Sequence, residues 1–121
     1  MYDINKFIND PALGRKDAEG FLADLPRWSP RIASQLAAEE GLQLTDDHWD
    51  VIVRLREMYR AEGPEWKARD VTRTLEKEFA PAGGRRFLYE LFPGGPLKQG
   101  CKLAGLPLPQ GTLDPSFGNV H

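Results

Sequence analysis

The chain reads as a mostly α protein: a small orthogonal bundle of about five short helices, with an N-terminal hairpin and a flexible C-terminal arm. Three observations predict it. Apolar residues recur at helical spacing from Ile32 to Phe92. Ser, Thr or Pro stands where several of these stripes begin, and Gly or a Pro-Gly cluster stands where they end. No strong strand-like run interrupts them.

In residues 1–24, Tyr2, Ile4, Phe7 and Ile8 match neither strand nor helix spacing, and a short hairpin before Phe21-Leu22 is assigned there. The first firm helix begins at Ser29-Pro30, since serine caps well and proline is tolerated at the first helical position. Ile32, Ala33, Leu36 and Ala37 form its apolar stripe, and Gly41 ends it. The second helix starts at Thr45, with Asp46 and Asp47 complementing the positive end of its dipole. His48, three residues after Thr45, is assigned to capping. Trp49, Ile52, Val53, Leu55 and Tyr59 share one face of this helix. Arg56 and Arg60 fall inside that apolar arc, so either their guanidinium groups snorkel outward over packed stems or they meet a partner element.

A third helix runs from near Lys67 to Phe79, with Val71, Leu75 and Phe79 spaced by four, and Pro81-Ala82-Gly83-Gly84 breaks it. Arg85 to Phe92 is a short helix with Phe87, Leu88, Leu91 and Phe92 inward. Pro93-Gly94-Gly95 ends it, Pro96 opens a last helix, and Gly105 closes that one before Pro107 and Pro109. Residues 1–105 are expected to form one helical domain and 106–121 an extended arm, mobile from Gln110 onward.

The totals narrow the function. At 121 residues one core suffices. A single cysteine makes no internal disulfide and no cysteine-based zinc site, and with only His48 and His121 beside it neither a metal nor a cofactor is expected. No long apolar run or signal peptide is seen, so a monomer of the reducing cytoplasm, away from membranes, is the expectation. The net charge of −2 does not suit a dedicated nucleic-acid binder. Charge is nevertheless uneven, because residues 83–121 set Arg85, Arg86, Lys98 and Lys102 against Glu90 and Asp114 alone.

The lone thiol, Cys101, is the one strong nucleophile. On a helical wheel it shares the apolar side with Gly100 and Ala104, while Lys98 and Lys102 lie on the neighbouring polar side. That places it at the rim of the buried face, near two ammonium groups that favour the thiolate. The plainer alternative is a small core residue, the commonest fate of a free cysteine. Gly100 permits close approach of another backbone on either view. Trp28, Trp49 and Trp66 are assigned to core or partner-facing anchors.

Several stretches together resemble the DsrC/TusE family of sulfur-relay proteins. These are Glu19-Gly20-Phe21-Leu22 with Trp28-Ser29, then Leu44 to Asp50 with Leu55-Arg56-Glu57, then Phe87 to Pro93, Gly95 to Gln99 and Ala104 to Pro107. The resemblance spans about residues 18–112 and implies a small sulfur carrier rather than a turnover enzyme. In such proteins a cysteine near the C-terminal end takes a persulfide sulfur from a donor and hands it on. The implied partners are sulfur-donor relay proteins or sulfurtransferases, followed by a tRNA-thiolating enzyme in the TusE branch or a sulfite reductase in the DsrC branch. DsrC proteins carry two arm cysteines eleven positions apart, and TusE keeps the outer one, the principal acceptor. Here Cys101 takes the inner position and Thr112 the outer one, so chemistry that needs two cysteines is lost.

Three functions follow in order of support. The first is a single-thiol carrier, with sulfur on Cys101, Lys98 and Lys102 favouring the thiolate, and Arg56 orienting the arm or a partner. The second is a regulatory or adaptor protein that binds sulfur-metabolism partners without carrying sulfur. The third, DNA binding through Arg85, Arg86, Lys98 and Lys102, is opposed by the overall acidity.

Overall fold

In the computed structural model, residues 20–112 are described. They contain five α-helices: α1 (Pro30–Glu39), α2 (Asp46–Glu62), α3 (Ala68–Glu78), α4 (Arg85–Leu91) and α5 (Pro96–Ala104). Short 3₁₀ turns stand at Gly20–Asp24, Gly63–Glu65 and Ala80–Ala82. The expected hairpin and the end of the arm lie outside the described residues.

The helix starts follow local chemistry. The Ser29 hydroxyl accepts the Ile32 N–H at 3.3 Å, and Pro30 needs no acceptor at the first position. At α2 the Thr45 N–H donates to His48 Nδ1 at 3.0 Å, so the imidazole takes the place that Glu or Gln holds in most capping boxes. The other ring nitrogen, Nε2, donates to the Leu91 carbonyl at 2.8 Å. One side chain thus caps α2 and holds the last turn of α4 against it.

The long helix α2 is the axis of the bundle. Its buried positions, among them Val51, Ile52, Val53, Leu55, Met58 and Tyr59, are too many for one face, because other elements cover it on several sides. Ala37 from α1, Val71 and Leu75 from α3, Leu88 and Leu91 from α4, and Cys101, Leu103 and Ala104 from α5 join α2 in one cluster. Small residues set the approach of α5: a Cβ at Gly100 would stand 3.0 Å from Leu55 Cδ1. The neighbour is therefore a side chain, not the backbone that the sequence suggests. Aromatic pairs fill the joints, with Tyr59 edge-on to Trp66 at 5.1 Å, His48 edge-on to Phe92 at 5.2 Å, and Phe79 stacked with Phe87 at 6.0 Å. Phe87 is only half-buried, while Phe92 is fully buried. Arg54 of α2 grips Glu78 of α3 with two hydrogen bonds, at 2.6 and 2.9 Å.

The chain after α5 lies on the body for its first residues. Leu106 and Pro109 are buried. The Gln110 N–H donates to the Trp66 carbonyl at 2.8 Å, and the Ala68 N–H donates to the Gln110 carbonyl at 2.9 Å. Residues 106–112 are thereby stitched beside the start of α3.

Candidate functional site

Helix α5 carries the thiol, and three sets of contacts hold it. At its end the backbone closes in a Schellman motif: the Leu106 N–H donates to the Cys101 carbonyl at 2.9 Å and the Gly105 N–H to the Lys102 carbonyl at 3.3 Å. Gly105 has φ +70°, and a Cβ there would fall 2.5 Å from Trp28 Cδ1. Glycine is required twice over, by the backbone conformation and by the indole against it.

The remaining carbonyls at this helix end take side-chain donors. Trp28 Nε1 donates to the Leu103 carbonyl at 2.8 Å, and Arg56 Nη1 donates to the Ala104 carbonyl at 2.6 Å. The Arg56 guanidinium also lies 4.1 Å from the centroid of the Trp28 ring. Arg56 is only 8% exposed. Of the two expectations for Arg56, it meets a partner element and does not snorkel: its charge sits at the negative end of α5 and on an aromatic face.

The third hold is polar and near the surface. Lys102 Nζ stands 2.6 Å from Glu40 Oε2, just past the end of α1. Gln99 donates to the other Glu40 oxygen at 2.6 Å and accepts the Gly94 N–H at 3.1 Å. Lys102 and Gln99 hold the Glu40 carboxyl below its ordinary value, and Glu40 in turn raises Lys102. Glu40 was not among the sequence candidates, although a clue existed. Two acidic residues at the end of α1 oppose its dipole, so one of them needs a cation from elsewhere.

Cys101 itself is fully buried, with 0% exposure. This corrects its expected place at the rim of the buried face. A wheel shows one helix alone, whereas α1 and α2 both pack against α5 and cover the rim. Burial pushes the thiol up to about 12. The expected help from Lys98 and Lys102 is not found: Lys102 turns to Glu40, Lys98 is exposed, and desolvation alone sets the direction at Cys101.

An open cleft of about 560 Å³ lies at the other end of α5. Arg69 of α3, Tyr89 of α4, Lys98 of α5 and Thr112 of the arm border it. Thr112 donates its hydroxyl to the Pro109 carbonyl at 2.6 Å, which fixes its side chain in a turn. The structure thus separates the sequence candidates. Arg56 and Cys101 lie within the packed core side of α5, Lys102 lies over Glu40, and Lys98 borders the cleft. Among the described residues, no three His, Cys, Asp or Glu side chains gather as metal ligands.

Five helices with one thiol on the last of them, followed by a chain stitched back onto the body, define a small helical domain. The chain matches the profile of the family described as DsrC-like protein over residues 12–113, and it belongs to that family. It is 39% identical to the sulfurtransferase TusE of Salmonella paratyphi A over 94 residues, covering 77% of this chain and 86% of that one. The TusE sulfurtransferase of Pectobacterium atrosepticum matches to the same extent. Among solved structures, the NMR structure of DsrC from Allochromatium vinosum is similar with a TM-score of 0.62 and 41% identity, covering 78% of this chain and 86% of the other. The crystal structure of oxidized DsrC from Archaeoglobus fulgidus, the gamma-subunit of the dissimilatory sulfite reductase, gives 0.60 and 35%, covering 82% and 91%.

Proposed function

We propose that this protein serves sulfur trafficking as a relay component of the DsrC/TusE type, and that Cys101 carries the sulfur. One observation carries the choice of residue: Cys101 is the chain's single thiol, so any sulfane sulfur held covalently on a cysteine is held there. Loading is an exchange without net redox change. The Cys101 thiolate attacks the outer sulfur of a donor persulfide and forms a new S–S bond. The donor's S–S bond breaks, and its electron pair leaves with the donor thiolate. Transfer to the next partner repeats the step in the other direction. Because the thiol is buried and its proton tightly held, loading requires a donor that displaces α5 from its neighbours. Sulfurtransferases of the cytoplasm and further relay proteins are the partners this role calls for.

The same burial supports a second reading, in which Cys101 is core packing and the protein acts as an adaptor that binds sulfur-metabolism partners. Intact mass separates the two. Reduced protein is incubated with a persulfide-loaded sulfurtransferase. A carrier gains sulfur atoms, each adding the mass of one sulfur; reductant removes them, and Cys101→Ala gains none. A chain that stays unmodified while still binding the donor in a co-elution assay is the adaptor.

A further inference from the structure

The cleft beside Thr112 does not stand alone. A second hollow of about 510 Å³ is bordered by Arg85, Arg86 and Tyr89, so Tyr89 is the wall shared by both. Three large apolar side chains among the described residues are well exposed: Phe21, Tyr89 and Leu108. Phe21 lies against Gly63, where an added Cβ would meet its ring at 2.8 Å. Tyr89 instead stands between the two hollows, 47% exposed. The Arg85 guanidinium lies 5.7 Å from its ring centroid.

Charge gives this face its character. Arg69, Arg85, Arg86 and Lys98 come from three different helices and border the paired hollows, and no described residue lining either one is acidic. The whole chain carries −2, so the cations are concentrated here against the general trend. Glu90 stands 3.6 Å from Arg86 with both groups largely in solvent, and Lys98 adds its field to that of Lys102 at Glu40. Lys102, grouped with this patch in the sequence, is neutralised by Glu40 elsewhere, and Arg69 takes its place.

We propose that the Tyr89 face docks an acidic segment of a partner protein, with an apolar side chain of that segment beside the Tyr89 ring and its carboxylates toward Arg85, Arg86, Arg69 and Lys98. An aromatic wall flanked by arginines is the composition that interfaces favour. Polypeptide fits better than nucleic acid on two grounds. Arg85 already occupies one face of the ring, which a stacking base would need. The remaining molecular surface is net acidic and repels a long polyanion. The inference holds whether or not Cys101 carries sulfur. It places a partner against Thr112, at the base of the arm.

The test is amide chemical-shift mapping on the full isotope-labelled chain, titrated with a short glutamate-rich peptide that carries interspersed leucines. Shifts should gather at Tyr89, Arg85, Arg69 and Lys98 and shrink as salt is raised. Arg85→Glu combined with Arg86→Glu should weaken binding about tenfold, the size expected when two rim charges change sign. Tyr89→Ala should weaken it as well, which a purely electrostatic patch would not show. Arg27→Glu combined with Arg31→Glu, both exposed and bordering neither hollow, should bind more tightly than the first pair. Shifts that are absent or scattered, or equal losses from the two double variants, overturn the proposal. So does tighter binding of oligouridylate at the same residues. Shifts there on concentrating the protein alone assign the face to a second copy. Shifts there on ending the chain at Thr112 assign it to the chain's own tail. Either result also overturns the proposal.

Discussion

At the thiol, desolvation sets both reactivity and a pH dependence of stability. Burial raises Cys101 from an ordinary 9.0 to about 12, so at neutral pH the folded protein holds roughly a thousandfold less thiolate than an exposed cysteine would. The same difference acts on folding. Below about pH 9 the thiol is protonated in both states and its contribution is fully present. As pH rises toward about 12 the unfolded chain ionises while the folded chain keeps its proton, so stability is lost across that window. One pH unit above the ordinary value corresponds to about 1.4 kcal/mol at most. Tyr59 is raised by burial too and adds a slope in the same region, so the check is a difference. Chemical denaturation at pH 8 and pH 10 should show a larger loss for the native sequence than for Cys101→Ala. Equal losses would mean that the thiol is not buried in solution as it is in the structure.

Helix α5 is placed by residues distant in sequence. Trp28 and Arg56 both donate to its final carbonyls, and Glu40 holds its exposed side. Gly105 is the hinge of this arrangement, since its φ of +70° ends the helix and its missing side chain admits Trp28. An alanine at an unstrained glycine site with φ above zero costs about 1 kcal/mol. Here the new methyl also displaces an indole that stacks on a buried charge, so Gly105→Ala should cost roughly 2 kcal/mol or more, since leaving a buried polar group unsatisfied costs about as much again. Denaturant unfolding measures the loss, and a shifted Trp28 emission locates it. Gly41→Ala, with open space around the added Cβ, is the control that shows the backbone cost alone. The helices themselves were legible in the sequence because caps and stops are local. Ser29-Pro30, Thr45 with His48, and Pro96 to Gly105 mark ends that the structure keeps. The environment of α5 was not legible. The Arg56 and Trp28 partners lie 48 and 75 positions away, and helical periodicity carries no information at that range. The cleft shared by α3, α4, α5 and the arm escaped for the same reason, since no single segment contains it.

For the molecule as a whole, the question is how Cys101 reaches solvent. It belongs to the same cluster as Leu55, Leu75, Leu88 and Leu103, so no partition in the core separates the thiol from the rest. A small single core of this kind unfolds cooperatively. Exposing Cys101 without a partner then means losing α5 from α1 and α2 together with the buried guanidinium of Arg56, whose removal from its acceptor leaves a charge in an apolar setting. The opening that admits an alkylating reagent should therefore be the global one. Alkylation of the native protein by iodoacetamide, measured against added urea, should give an opening free energy and a denaturant slope equal to those of equilibrium unfolding. A smaller slope would reveal a local route in which α5 lifts while α2 and α3 hold, and a persulfide donor would then find the thiol already opened rather than having to open it. Equality of the two slopes, together with loading by a persulfide-bearing donor, would mean that the donor itself supplies the opening. Binding energy at the donor's interface would then be spent on exposing the thiol, and sulfur would pass only within the right pair. Under the proposed carrier role a relay would gain from that arrangement, since sulfur held on Cys101 between encounters would be kept from reductant thiols.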